Sequence, residues 1–190
     1  MKIKLFFLLI SVSFFAIAGE KPVRFQVVPE ESSVQFSSKA PLEDFVGKTK
    51  EISGWVEGNA GQLTKVQGTF SVNPVSLKTG NRLRDKDMRE FLETDQFPEI
   101  RFTLKQIGGM KLLTPGQKGG VTAEGSFDLH GIKRTETIPL EVLYDPTKQE
   151  LQISSTFPIL LADYQIERPQ VLWVKLAEKV TVTLQLVLRP

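Results

Sequence analysis

The chain has 190 residues, with 24 Lys and Arg, 22 Asp and Glu, a single histidine and no cysteine. That length carries one domain with a sizeable core, and the missing cysteine excludes disulfide staples, thiolate metal sites, a cysteine nucleophile and a lipidated cysteine anchor. The small basic excess comes from Lys2 and Lys4, and without residues 1–18 acids and bases number 22 each, so no bulk attraction to nucleic acid or anionic lipid is expected.

Residues 1–18 read as a secretory signal peptide: Lys2 and Lys4, then an apolar run from Leu5 to Ile17, then a small-x-small Ala16-Ile17-Ala18 site cut before Gly19. The run is short for a membrane span. Residues 19–190 then form one domain, exported to the periplasm or secreted. From Phe25 on, apolar and polar residues alternate. Phe25 and Val27 share one face, as do Val34 and Phe36, then Val66, Gly68, Phe70 and Val72. The pattern continues through Ile100, Phe102 and Leu104, through Val121 to Leu129, and through Ile138, Leu140, Val142 and Tyr144. It ends with Leu151 to Phe157 and with Val180 to Leu188. Period-two alternation predicts about eight antiparallel strands, each with one dry and one wet face. Turn signals fall at Gly108-Gly109, Pro115-Gly116, Gly119-Gly120 and Asp145-Pro146. Such strands build a sandwich or a closed barrel, and the pattern alone does not choose.

Two segments break the alternation. Pro41 to Val46 predicts a short helix with Pro at its first position and Leu42, Phe45 and Val46 on one face. Asn81 to Leu92 predicts a longer one, with Asp85→Arg89 and Lys86→Glu90 as i, i+4 pairs and Met88, Phe91 and Leu92 as an apolar stripe, Leu83 lying off it. Pro98 prevents continuation.

Thr79-Gly80-Asn81-Arg82-Leu83-Arg84-Asp85, with Phe91, then Phe97-Pro98-Glu99-Ile100-Arg101-Phe102, resembles the signature of the YceI-like family, roughly T-G-x-x-x-R-D-x-x-L-x-x-x-x-F-x-x-x-x-F-P-x-I-x-F. Four further stretches are similar to family elements: Pro29 to Phe36, Gly125 to Thr135, Phe157 to Ile166 and the closing strand Val180 to Leu188. The chain departs from the family where many members carry histidines, having Asp87 two residues after Arg84-Asp85 and Lys39 near the second strand. The resemblance implies an all-β, extended eight-stranded antiparallel, lipocalin-like barrel with one or two short helices at an end. It also implies a long-chain isoprenoid partner, of quinone or polyprenyl type, with no cofactor, and a homodimer is compatible with it; one histidine without cysteine argues against a metal site, and the balanced charge against nucleic acid.

The residues leave the lumen open or filled. Thirteen phenylalanines against two tyrosines supply apolar area without polar handles, which suits an ordinary core and an apolar tunnel equally. The implied ligand-binding positions are Phe36, Phe45, Phe70, Met88, Phe91, Leu92, Phe102, Leu104, Phe127, Leu140 and Phe157, with Phe45, Met88, Phe91 and Leu92 as a helical lid. Gly68, Ala123 and Gly125 either leave lumen space or mark bends. Trp55 and Trp173 are expected near loops, Trp173 as a mouth residue or packed over the barrel end.

No catalytic residue is assigned. Ser126, Asp128 and His130 lack a nucleophile elbow, and the first two sit on the wet face; His130 reads as a surface turn residue. Asp85 and Asp87 lack a calcium-loop glycine and are expected to solvate the helix, with Arg84-Asp85 as a bracing ion pair or, less favoured, a head-group contact. Two other readings remain: a filled barrel serving stress protection or protein interaction, and a lipid-modifying enzyme using His130 or Asp85 and Asp87.

Overall fold

In a computed structural model, the described residues are 22–39, 44–59, 65–109, 113–167, 170–171, 174–175 and 177–190. The signal-peptide segment, Pro41 to Glu43 and Trp173 lie outside them. The strands are β1 (Val23–Val27), β2 (Ser33–Ser38), β3 (Phe45–Thr49), β4 (Ile52–Gly58), β5 (Gln67–Val72), β6 (Ile100–Gly109), β7 (Lys118–Leu129), β8 (Ile132–Asp145), β9 (Glu150–Leu160) and β12 (Lys179–Arg189), with the small pair β10 (Gln170–Val171) and β11 (Val174–Lys175) between the last two. All ladders are antiparallel, and the β1–β12 pairing closes the ten-stranded order β1-β4-β5-β6-β7-β8-β9-β12-β2-β3 on itself.

The closed wall has eight staves, because the first four strands make only two. β1 and β2 run successively along the same edge of β12, at Val27↔Leu188 and then Ser33↔Gln185. A 3-10 turn at Pro29–Glu31 kinks the stave, and the buried Ser32 hydroxyl accepts the Val187 N–H at 3.0 Å in place of a ladder bond. β3 and β4 form the second stave, bent at Lys50-Glu51, where Thr49 Oγ1 accepts the Glu51 N–H at 2.9 Å. The alternation therefore counted the first stave twice and missed the second. Phe45 and Val46 are strand, not helix: Val46 pairs with Ser37 on the outer face and is 40% exposed, an outward apolar residue that hid the alternation.

Other corrections follow from strand length. Gly108-Gly109 closes β6 and Gly119-Gly120 lies within β7, so neither is a turn. Trp55 sits mid-strand in β4, facing outward under the Arg24 guanidinium, 4.0 Å from the ring centre. At the β7–β8 hairpin His130 and Gly131 both have positive φ (55° and 73°), the two-residue turn whose twist matches its strands.

The wall splits between β8 and β9. β8–β9 pairing stops at Glu141↔Ser154, so residues 132–140 pair with β7 alone. Pro139 lies at the split, without an N–H for the ladder, and its carbonyl accepts the Ser155 hydroxyl. The turn Leu161–Tyr164 wedges there: Tyr164 is 1% exposed, stacks edge-on against Phe127 and donates its hydroxyl to Glu136 Oε1 at 2.8 Å. One apolar cluster, around Leu186, Leu188, Val142 and Ile153, packs the end where β1 begins and β12 ends; a second, of Phe127, Leu129, Tyr164 and Ile166, packs the other end.

Candidate functional site: a barrel lumen under a helix

The insert between β5 and β6 covers the second end. Its helix α1 (Arg82–Phe91) is capped by Asn81, whose Oδ1 accepts the Leu83 and Arg84 N–H groups at 3.0 and 3.3 Å. Of the two expected ion pairs, Lys86–Glu90 forms at 3.4 Å on the exposed face. Asp85 instead turns inward, is 7% exposed, and accepts both the N–H and the hydroxyl of Thr79 at 2.8 and 2.6 Å. Burial pushes the Asp85 carboxyl up, but the Thr79 hydrogen bonds, with Lys78 and Arg89 nearby, outweigh it and hold the group below its usual range. Arg84 donates Nε to the same Thr79 hydroxyl at 3.0 Å and lays its guanidinium over the Phe45 ring, 4.5 Å from the centroid. Arg84 and Asp85 are thus joined through Thr79, and Asp85 anchors the insert rather than solvating the helix.

Beneath α1 lies a cavity of about 920 Å³, near the top of the range of small-ligand pockets. All eleven positions expected from the sequence line it: Phe36 on β2, Phe45 on β3, Phe70 on β5, Met88 and Phe91 on α1, Leu92 at its C-cap, Phe102 and Leu104 on β6, Phe127 on β7, Leu140 on β8 and Phe157 on β9. Phe45 reaches the lumen from a strand, so among the described residues α1 supplies the helical cover. Sequence reasoning missed Ile52 and Val56, whose alternation lies on the second stave, and the rim residues Asn81, Leu83 and Asp87. Leu83, 74% exposed, stands on that rim.

An eight-stranded barrel is narrow enough to be filled by its own side chains. Here glycines keep the lumen open. A β-carbon at Gly47 would lie 2.1 Å from the Phe36 ring, one at Gly54 2.8 Å from the Phe70 ring, and one at Gly125 2.6 Å from the Phe102 ring. Phe36 faces Gly47, and Phe70 faces Gly54, directly across their ladders. Each ring packs against a glycine of the neighbouring stave, an arrangement known from aromatic cover of strand glycines. The wall is aromatic and the axis stays free. Gly54 and Gly125 serve close backbone approach as well, since a β-carbon there would also collide with the Thr69 and Thr103 carbonyl oxygens, and Gly68 serves it alone, its β-carbon meeting the Trp55 carbonyl at 2.8 Å.

His130 is not a surface residue. Its side chain is 10% exposed, under Phe97, with ring centroids 4.8 Å apart. Nδ1 donates to the Tyr164 carbonyl at 3.0 Å, and Nε2 faces Glu93 Oε1 at 3.5 Å without a hydrogen bond. The ring ties the β7–β8 turn to the wedge and to the segment after α1. Asp128 is held by Lys133 at 3.6 Å on the outer face, away from the lumen. Among the described residues no group of three or more His, Asp or Glu is placed to hold a metal ion.

Comparison with known proteins agrees with this architecture. The YceI-like domain model matches residues 25–188. The chain belongs to the YceI-like family. A UPF0312 protein of Staphylococcus aureus (strain USA300) is 29% identical over 101 residues, which cover 52% of this chain and 59% of that protein, so the chain spans little more than half of the curated relative it matches. The crystal structure of Burkholderia cenocepacia BcnA superposes with a TM-score of 0.72 at 17% identity, over 85% of this chain and 98% of that one. A polyisoprenoid binding domain from Saccharophagus degradans, implicated in plant cell wall breakdown, superposes with a TM-score of 0.70 at 18% identity, over 87% and 97% of the two chains. At these identities the structural matches show a shared fold, the lipocalin-like eight-stranded barrel.

Proposed function

We propose that this YceI-like protein binds a long apolar lipid of the isoprenoid class, of quinone or polyprenyl type, inside its barrel, and acts as a carrier or store rather than as an enzyme. The observation behind this reading is the open lumen of about 920 Å³, lined mostly by carbon side chains along the barrel and covered by helix α1. A filled barrel serving only protein contacts would have no use for the glycine shelves. Each methylene taken from water contributes about 0.8 kcal/mol, so ten carbons contribute about 8 kcal/mol before the cost of immobilising the chain. No polar anchor is required at that scale. Neither the wet-face Ser126 and Asp128 nor His130, which is used for packing, presents a reacting group to the lumen. The polyisoprenoid-binding neighbour supports the same ligand class. We place the protein in the periplasm or outside the cell, on the signal-peptide pattern of residues 1–18.

The test is to express the full chain in a Gram-negative host, purify the processed protein, extract it with organic solvent and identify the extract by mass spectrometry. A stoichiometric isoprenoid is expected, and Phe102→Asp should lose it. An empty extract, with no uptake of added quinone or polyprenol, would overturn the reading.

A further inference from the structure

The lumen's lining contains two charged side chains among the described residues, Arg84 and Asp87, both on α1 at the covered end. They are three residues apart, on the same side of the helix, and their charges cancel. A helix N-terminus with an arginine beside it would ordinarily attract an anion. Here its attractions are already taken. Asn81 Oδ1 accepts the Leu83 and Arg84 N–H groups. The Thr79 N–H and hydroxyl are given to Asp85. Two of the three guanidinium nitrogens of Arg84 donate to Thr79, Nε to the hydroxyl at 3.0 Å and Nη2 to the carbonyl at 3.4 Å, while the guanidinium plane covers Phe45. Asp85 is the anion of this end, and it is part of the chain. What remains on the rim for a ligand is Asn81 and Ser38, which are uncharged, one unengaged guanidinium nitrogen, and the exposed carboxylate of Asp87.

We infer that the mouth selects isoprenoids whose polar end is uncharged, a hydroxyl or a carbonyl, over those ending in phosphate, and that Asp87 is the residue that turns phosphate away. This rests on the lipid-binding reading and narrows its ligand class. A hydroxyl or carbonyl needs one or two hydrogen bonds, which the rim supplies. A phosphate carries about −1.5 to −2 charge and would meet a carboxylate and a single, largely committed cation.

The experiment uses the processed, delipidated protein with two probes, geranylgeraniol and geranylgeranyl monophosphate, each presented from the same neutral detergent micelle and read by native mass spectrometry and competition. Their tails are identical, so the ratio of affinities reports the mouth. The alcohol is expected to bind at least tenfold more tightly than the phosphate. Asp87→Asn should narrow that ratio severalfold, and raising the salt concentration should narrow it as well. Phosphate binding as tight as the alcohol, or a ratio unmoved by Asp87→Asn, would overturn the inference while leaving lipid binding intact. Failure of both probes to bind would overturn the lipid-binding reading and this inference together.

Discussion

Replacing Gly47 with alanine asks whether the lumen is open because phenylalanine rings rest on glycine. The added β-carbon would sit 2.1 Å from Cε1 and 2.5 Å from Cζ of Phe36, against an ordinary contact of 3.4 Å or more. The ring has to retreat by about 1.3 Å, and the wall lies on one side of it, so it moves into the lumen. Overpacking of a filled core costs about 1–3 kcal/mol; with open space to receive the ring, the low end applies, about 1 kcal/mol. In a domain of this size that lowers the melting temperature by about 2–4 °C. The effect on the ligand is larger than the effect on the fold. If the displaced ring bars two or three carbons from the lumen, about 2 kcal/mol of binding is lost at about 0.8 kcal/mol per methylene, or roughly thirtyfold in affinity. Thermal unfolding and lipid affinity are measured side by side. Gly120→Ala is the control, since its β-carbon would meet nothing within 4 Å, and both readings should stay at their wild-type values. If Gly47→Ala melts a few degrees lower yet retains its lipid with unchanged affinity, the Phe36 ring does not border the ligand path and the argument for glycine shelves is refuted.

Three further outcomes are expected. Asn81→Ala removes the acceptor for the Leu83 and Arg84 N–H groups and should cost about 1 kcal/mol, seen as a melting temperature about 2–4 °C lower; no change would mean the cap does not hold α1. Tyr164→Phe deletes the 2.8 Å bond to Glu136 and should shift the urea midpoint by an amount equivalent to about 1 kcal/mol, while titration of the wild type should show the Tyr164 phenol well above its ordinary range, raised by burial and then by the Glu136 hydrogen bond. Stability should fall in acid. The Glu150 carboxyl is lowered by hydrogen bonds from Gln152 and Arg189, that of Glu31 by Arg189, and that of Asp85, against the opposing effect of burial, by Thr79. Groups lowered on folding contribute fully above their unfolded values, about 3.9 for Asp and about 4.3 for Glu, and lose that contribution as pH falls through the folded values. The melting temperature should therefore hold from neutrality to about pH 5 and drop below about pH 4, and Asp85→Asn should flatten part of the drop. A melting temperature that rises on acidification would contradict the assigned partners.

The Phe102, Phe127 and Phe157 positions were legible because a strand with one dry face writes that face into the sequence at every second residue, and all three line the lumen. The helix at Asn81 to Leu92 was legible for a local reason too: opposite charges four residues apart, an apolar stripe and a proline stop. Phe45 and Val46 were not. Val46 points outward at 40% exposure, so the segment presents two adjacent apolar residues, which at short range suit a helix as well as a strand. Asp85 was misplaced because a carboxylate on an amphipathic helix is normally exposed; its partner, Thr79, lies six residues back across the turn that enters the helix.

The sequence by itself determined the strand faces outside the second stave, the covering helix, the family resemblance and the inward phenylalanines of the strands it recognised, since each depends on neighbours within a few residues or on a motif read along the chain. Whether those inward residues fill a core or border a tunnel was decided only by tertiary structure. Phe36 and Gly47, or Phe102 and Gly125, come from different staves, and only their register across the ladder lays a ring on a glycine instead of into the lumen. The same holds for the mouth, where Thr79, Arg84 and Asp85 satisfy one another and leave the Asp87 carboxylate exposed on the rim. Open volume and net charge at a site are properties of which side chains meet, and the order of residues does not contain that until the barrel closes.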